Sequence, residues 1–224
     1  MAMLDVQQLR ADAQPFLDQG VAVWNEAKEI WIAGGWGMIA IAADALVLFA
    51  IGVHVWLRFR EKRFLSVPEK KWRRWIEHPG ERRGPIGKLL DFVSGNPTLE
   101  ATAASFQGLR SIEVAPFDRD LRVMKICVGL APLLGLFGTV TGMLETFAAL
   151  ASGSGGEQTM GMIASGISVA LITTETGLVI ALPGLFFHYQ LMRKHERYKA
   201  FLAHLESVCM QSLYRRSRGP AAAV

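Results

Sequence analysis

Residues 130–188 read LAPLLGLFGTVTGMLETFAALASGSGGEQTMGMIASGISVALITTETGLVIALPGLFFH, two long apolar runs joined by a short turn of glycine and serine. Residues 126–144 hold 19 positions without a charge, and residues 158–174 and 176–192 hold 17 each, separated only by Glu175. A helix needs about 20 mostly apolar residues to cross about 30 Å of hydrocarbon. The stretch therefore predicts a hairpin of two membrane-spanning helices.

On each arm of this hairpin, the small and hydroxylated residues fall on one face of a helix. At 100° per residue, those of the first arm lie within an arc of about 100°, and those of the second form a similar group. Because burying apolar surface between helices gains little in lipid, such stripes serve close backbone approach and hydrogen bonds between helices. We therefore predict that the arms pack along them. The stripes are Gly135, Gly138, Thr139, Gly142 and Thr146, and Gly166, Ala170, Thr173, Thr174, Gly177, Ala181 and Gly184.

Two of these threonines are predicted to lie near the middle of the membrane. Thr139 is about 13 residues into the first arm and Thr174 about 15 residues from the far end of the second, which gives them a matching depth. Two hydroxyls at one depth can line a polar path through the membrane. The alternative is that each hydroxyl bonds to the carbonyl one turn earlier in its own helix, as membrane threonines commonly do.

Two segments of the hairpin carry a resemblance to a known family. APLLGLFGTVTG at 131–142 and GISVALITTETGLVIALP at 166–183 are similar to the MotA/TolQ/ExbB proton-channel family, most closely to its ExbB side. The match covers both arms, about 60 of the 224 residues, with Gly, Pro and Thr at fixed offsets. A pattern that spans two helices is far more specific than a lone short motif.

The resemblance implies a homo-pentameric ring around a dimer of a separate one-span partner, ExbD-like or TolR-like, whose span carries the aspartate that picks up the proton. It also implies a TonB-like protein that this partner moves. Thr139, Thr173 and Thr174 are then the polar threonines of the proton pathway. The glycines and prolines of the two motifs are predicted to pack the helices: Gly135, Gly138, Gly142, Gly166, Gly177, Pro132 and Pro183.

The chain departs from the family pattern at one position. Many ExbB and TolQ sequences carry a glutamate directly after a Gly-Ile-small triplet, where this chain has Val169, and a glutamate appears farther inward at Glu175. Either Glu175 takes over that role or this branch works without it, and we include Glu175 in the proton pathway as a hypothesis. It lies about 100° round the helix from Thr174 and therefore faces away from the glycine stripe. That direction can lead into a shared central lumen.

A third apolar stretch, residues 30–57, precedes the hairpin and contains Asp44 near its midpoint. An ionisable group at that depth costs at least about 2.5 kcal/mol on insertion scales, so it normally faces other helices or water. Asp44 is either a proton-accessible carboxyl or a protonated side chain bonded to a neighbouring helix. Glu145 lies about 9 Å outward of Thr139. It is either a carboxylate at the mouth of the path or one that extends to the interface.

Charge fixes the predicted orientation. Of the 24 Lys and Arg residues, 22 lie in segments 58–125 and 193–224, and the turn at 152–159 has none. By the positive-inside rule, the N-terminus and the turn lie outside, and the two basic segments lie in the cytosol. Three spans satisfy this arrangement without conflict.

The predicted fold is an all-α membrane protein with three transmembrane helices, the N-terminus outside, the C-terminus inside and long helical cytosolic extensions. The segments are a periplasmic amphipathic segment at 1–29, transmembrane helices at 30–57, 126–151 and 160–190, a cytosolic helical domain at 58–125, a periplasmic turn at 152–159, and a cytosolic C-terminal helix and tail at 191–224.

No sequence pattern points to an enzyme. The chain lacks the G-x-x-x-x-G-K-[ST], C-x-x-C and H-E-x-x-H motifs, and its five histidines are scattered. We expect no cofactor and no metal site. The basic run that follows the first span predicts contact with anionic lipid at the cytosolic face, and no nucleic acid partner is expected.

The residues and the resemblance together predict a proton-driven motor subunit of the bacterial inner membrane. It would couple the proton motive force to an ExbD-like partner and so energise TonB-dependent outer-membrane transport. The alternatives are a TolQ-like envelope-maintenance subunit, a MotA-like flagellar stator subunit, although that type has four spans, and a non-conducting membrane scaffold. A scaffold needs the glycine stripes and the basic residues but not the threonines at mid-membrane.

Overall fold

The computed structural model describes residues 25, 28, 31, 32, 34–62, 67–95, 98–152 and 156–217, and within these ranges it contains helices and no strand. The all-α prediction is confirmed. The amphipathic segment predicted at 1–29 and the middle of the turn predicted at 152–159 lie outside the described residues. The helices are α1 (Gly37–Lys62), α2 (Glu69–Glu77), α3 (Gly84–Ser94), α4 (Leu99–Glu113), α5 (Ala115–Ala151) and α6 (Glu157–Ser217), with a short 3-10 helix at Pro79–Glu81.

Three helical stretches of the described chain are long and apolar enough to cross a membrane: Gly37–Lys62, Leu99–Ala151 and Glu157–Arg215. Since a soluble fold would bury such surfaces, their exposed apolar side chains indicate a multi-pass membrane protein, as predicted. Exposed examples are Leu133, Leu144 and Leu182, which are 58%, 62% and 69% exposed.

The two hairpin helices extend well beyond the predicted spans. Helix α5 has 37 residues and continues through Pro132, while α6 has 61 residues and continues through Pro183. Proline is tolerated in membrane helices because neighbouring helices and side chains satisfy the backbone groups that it frees. The prediction that the third span continues as a long helix is confirmed.

The chain divides into two compact units. The first, named here the span unit, comprises Met1–Leu46 and Val128–Leu182. The second, named here the charged unit, comprises Val47–Cys127 and Pro183–Val224. Helices α1, α5 and α6 each contribute residues to both units.

Aromatic side chains form the core of the charged unit. The rings of Phe59 and Phe117 stack with centroids 4.5 Å apart at 16°, and Tyr198 lies edge-on to both. Tyr198 has no exposed surface. Helix α2 adds Trp72, whose ring meets Phe201 edge-on at 6.1 Å. Such pairs contribute about 0.5–1.5 kcal/mol each beyond the burial of their area.

Buried polar groups in the charged unit hold the connections between its helices. The Tyr198 hydroxyl donates to Glu113, which also pairs with Lys62. Burial raises the pKa of Tyr198, and the charge of Glu113 and the hydrogen bond to it add to that effect, so the hydroxyl stays a donor. The Arg82 guanidinium, 6% exposed, donates to the Trp75 carbonyl and pairs with a carboxylate of α3. The first group of bonds joins α4 to α1 and α6, and the Arg82 bonds join α2 to α3.

Candidate functional site: the small-residue seam between α5 and α6

Glycines bring the backbones of α5 and α6 into close approach within the span unit. A Cβ added at Gly142 would lie 2.5 Å from the Gly166 carbonyl oxygen, and one added at Gly166 would lie 2.7 Å from the Gly142 carbonyl oxygen. A Cβ at Gly177 would lie 2.6 Å from the carbonyl oxygen of Ala131. Real Cβ atoms essentially never come this close to other atoms, so these positions require glycine. We call this surface the α5–α6 seam.

The inner part of the α5–α6 seam places Gly135 and Gly138 against the two adjacent threonines of α6. A Cβ at Gly135 would lie 2.9 Å from the Thr173 carbonyl oxygen and 3.0 Å from the Thr174 Cα atom. A Cβ at Gly138 would collide with the Thr173 side chain, which is fully buried. The threonines therefore fill the space that the missing side chains leave.

The Thr174 hydroxyl reaches the opposite helix. Its Oγ1 lies 3.1 Å from the Gly135 carbonyl oxygen on α5 and 3.2 Å from the Ala170 carbonyl oxygen on its own helix. A hydroxyl carries a single proton, so it donates to one of these acceptors at a time and keeps lone pairs free to accept. The approach to Gly135 depends on that residue having no Cβ. Thr174 is thus a polar group that two helices share.

The other threonines of the predicted pathway bond within their own helices. The Thr139 hydroxyl donates to the Leu136 carbonyl at 2.6 Å, and the Thr173 hydroxyl lies 2.9 Å from the Val169 carbonyl. For these two residues the structure has the bond to the preceding turn that the sequence left open as an alternative. No hydrogen bond joins Thr139 to Thr174 in the part of the chain that the structure describes.

Glu175 lies outside the α5–α6 seam. Its side chain is exposed, while Thr173 and Gly177, two residues away on either side, are buried. Among the described residues, no Lys, Arg or His forms an ion pair with it within 4.0 Å. Ser168 is exposed on the same face, because seven residues bring an α-helix back to nearly the same direction. Glu175 therefore presents a carboxyl on the outer surface of this chain, at mid-span.

The other intramembrane acids occupy different positions. Glu145 is exposed on α5. Asp44 is half-buried on α1, three residues after the fully buried Ile41, and one of its carboxylate oxygens has no exposed surface. The structure does not bring Asp44, Glu145 and Glu175 into one cluster, and no group of three His, Cys, Asp or Glu residues in the described ranges has the geometry to hold a metal ion.

The two prolines of the motifs lie in different surroundings. Pro132 is half-buried on α5, directly after Ala131, whose carbonyl oxygen faces Gly177 across the α5–α6 seam. Pro183 is exposed on α6. Pro132 is therefore next to a close contact of the two helices, whereas Pro183 is exposed on the surface of the chain.

Sequence reasoning missed a contribution from the start of α1. A Cβ at Gly37 would lie 3.6 Å from the Thr173 Cγ2 atom, and the Trp36 ring meets Phe137 edge-on with centroids 5.5 Å apart. Gly35, at φ 63°, forms the turn that precedes this contact. The cluster GGWG at 34–37 was the available signal, because glycines beside an apolar run mark a close backbone approach.

Comparison with known proteins identifies the same two helices. Residues 93–203 match the MotA/TolQ/ExbB proton channel family. This segment includes the whole α5–α6 seam. An ExbB-like biopolymer transport protein of Synechocystis sp. is 33% identical over 148 residues, which cover 65% of this chain and 57% of that protein.

Two further relatives match shorter segments. The biopolymer transport protein exbB1 of Vibrio cholerae is 41% identical over 69 residues, 31% of this chain and 30% of that protein. The Tol-Pal system protein TolQ of Haemophilus influenzae is 36% identical over 80 residues, 35% of this chain and 34% of that protein. The chain thus covers little more than half of the first of these relatives and about a third of the others. Residues 93–203, which hold both helices of the seam, thus carry the similarity of this chain to the MotA/TolQ/ExbB proton channel family.

Proposed function

We propose that this chain is a proton-conducting subunit of the bacterial inner membrane that couples the proton motive force to movement of an ExbD-like one-span partner. The observation that carries the proposal is the Thr174 hydroxyl shared between α5 and α6. The next residue in the chain, Glu175, presents an exposed carboxyl. A hydroxyl with two alternative acceptors can donate and accept in turn, which is the property a proton relay needs. Thr139 and Thr173 extend the polar lining along the same two helices.

Conduction requires several copies of the chain. A charged side chain facing hydrocarbon at mid-span costs at least about 2.5 kcal/mol, so Glu175 must face a neighbouring protein chain or water. Three spans cannot enclose a pore with their own helices, and a ring of subunits supplies the missing walls. On the basis of the family resemblance, we propose a ring of five copies around a one-span dimer that carries the proton-accepting aspartate.

The coupling step uses the energy of the proton gradient. One proton crossing 100 mV releases about 2.3 kcal/mol. We propose that this energy moves the ExbD-like partner and, through it, a TonB-like protein that energises outer-membrane transport. The biopolymer transport names of the ExbB-like relatives favour this over a TolQ-like role in envelope maintenance. No enzymatic reaction is part of the proposal, and the cations at the cytosolic ends of the spans add a general attraction for anionic lipid.

The test is proton flux into vesicles that hold the chain together with its one-span partner, for wild type and for Thr174→Val. We expect flux to fall at least tenfold in Thr174→Val while the complex stays intact, since valine keeps the volume and removes the relay. Thr176→Val is the matched control, because within the described part of the chain the Thr176 hydroxyl bonds to the Ile172 carbonyl of its own helix, at 2.8 Å. That variant should conduct as wild type does.

Glu175→Gln separates the two parts of the proposal. A loss of flux in Glu175→Gln as well as in Thr174→Val would give this acid the role of the glutamate that Val169 replaces. Full flux in Glu175→Gln would restrict the pathway to the threonines. Unchanged flux in Thr174→Val, or no flux in wild type, would favour a non-conducting scaffold.

A further inference from the structure

A pocket of about 240 Å³ lies between α5 and α6 within the charged unit. On α5 its lining includes Arg122 and Lys125, and on α6 it includes His188 and Met192. Lys125 directly precedes the uncharged run that begins at Ile126, and Met192 ends the uncharged run of α6. The pocket therefore lies where the membrane-spanning parts of both helices meet the cytosol.

The membrane side of this pocket is positively charged. Arg122 and Lys125 are both exposed and lie about one turn apart on α5. Neither has a carboxylate within 4.0 Å in the part of the chain that the structure describes. His188, 8% exposed, forms part of the wall beside them. Two cations with no ion-pair partner at the membrane surface attract an anion.

The cytosolic side of the same pocket is already compensated. Asp118 accepts from His195 at 2.7 Å and from Lys199 at 3.1 Å, and Lys199 also pairs with Glu196 at 3.2 Å. Burial raises the pKa of Asp118, but the bonds from His195 and Lys199 outweigh it and keep the pKa below its usual value. The Asp118 carboxylate thus stays an ionised acceptor, and Asp118 and Glu196 already have cationic partners other than Arg122.

Apolar side chains continue from the pocket toward the membrane. Ile126 follows Arg122 by about one turn, and Tyr189 and Leu185 precede Met192 by about one and two turns. They are 56%, 60% and 55% exposed. A ligand with a phosphate at Arg122 and Lys125 can therefore extend acyl chains along exposed apolar surface without leaving the two helices.

We propose that this pocket binds the headgroup of an anionic glycerophospholipid of the cytosolic leaflet. The phosphodiester lies against Arg122 and Lys125, and hydroxyl groups of the headgroup donate to Asp118 and Glu196 at the far side. Basic pockets between helices on the cytoplasmic side are suited to such headgroups. The general attraction of the basic residues for anionic lipid is thereby assigned to one defined binding site. It rests on the orientation of the chain in the membrane and is independent of proton conduction.

The test is native mass spectrometry of the full chain in neutral detergent, with an equimolar mixture of dioleoylphosphatidylglycerol and dioleoylphosphatidylcholine. Wild type should retain phosphatidylglycerol in preference. The double variant Arg122→Gln, Lys125→Gln should lose that preference about thirtyfold, the scale expected for two cations at the membrane surface. The matched control is Arg193→Gln, Arg197→Gln, which removes two exposed cations that do not line the pocket.

Three results would overturn the site. Equal losses in the pocket variant and the control would show diffuse attraction instead of a pocket. No preference in wild type would remove the basis for lipid binding. Displacement of phosphatidylglycerol from wild type by inorganic phosphate at about 10 mM or less would make free phosphate the ligand. The last two measurements use wild type alone, so the proposal stays testable even if the pocket variant does not fold.

Discussion

The span unit and the charged unit differ in the kind of contact that stabilises each of them internally. Across the α5–α6 seam the backbones of the two helices are in contact, because glycines have no side chain and let a carbonyl of one helix approach the backbone of the other. In the charged unit, the core is built from stacked and edge-on rings with ion pairs around them. The same two helices, α5 and α6, take part in both arrangements.

The difference follows from the surroundings of each region, which are water for the charged unit and lipid for the span unit. In water, burying an aromatic ring removes a large apolar area from solvent, so large side chains dominate the core. In lipid that gain is nearly absent, and close backbone packing with shared hydrogen bonds takes its place. Large exposed side chains such as Leu136 and Phe186 then face lipid or neighbouring chains. One continuous helix can therefore pack through small residues in one part of its length and through large aromatic residues in another.

The largest expected effect is in the charged unit. Phe117 is 2% exposed and stacks on Phe59, so Phe117→Ala should lower the free energy of unfolding by about 3–5 kcal/mol. Urea unfolding in detergent, followed by hydrogen exchange of α4 and α6, measures it. Ile112→Ala on α4, where the side chain is 66% exposed, should change stability by less than about 0.5 kcal/mol. Equal effects of the two variants would contradict the aromatic core.

A smaller effect is expected when a side chain is added to the α5–α6 seam. Gly142→Ala should destabilise the chain by about 1–3 kcal/mol, because the new Cβ would lie 2.5 Å from the Gly166 carbonyl oxygen. Thermal unfolding in detergent measures the change. Gly161→Ala on α6 meets open space and should be neutral or stabilising, by up to about 1 kcal/mol. If Gly142→Ala were as stable as Gly161→Ala, backbone contact would not hold the seam.

The smallest effect is electrostatic and depends on pH. Because the pKa of Asp118 is lowered in the folded state, its ionised form stabilises the fold above the unfolded pKa, and this contribution is lost as pH falls through the folded pKa. At pH 7, Asp118→Asn should cost about 0.5 kcal/mol, since the carboxylate is partly exposed. The difference from wild type should vanish under acid conditions. A gap between the two proteins that stays constant down to pH 2 would mean that packing, and not charge, is responsible. Glu77→Gln, exposed on α2, serves as the control.

The stripes, the spans and the all-α fold could be predicted because each depends on periodicity along a single helix. The stripe residues Gly142 and Gly166 do face each other, as their positions on one arc indicated. The bonding of each threonine could not be predicted. Thr139 and Thr174 have the same chemistry, yet one donates within its helix and the other also reaches Gly135. That choice depends on the rotation of one helix against the other, which periodicity does not give.

By itself, the sequence determined which segments span the membrane, which face of each hairpin helix packs and, through the distribution of lysine and arginine, which end is predicted to lie in the cytosol. These are properties of composition and of the helical repeat. Only the tertiary structure decided that Asp118 bonds His195 and that Glu113 bonds Tyr198. Those partners lie 77 and 85 positions apart in the chain. Many acids and bases in the charged segments are equivalent by sequence, and only packing of the helices brings particular pairs within bonding distance.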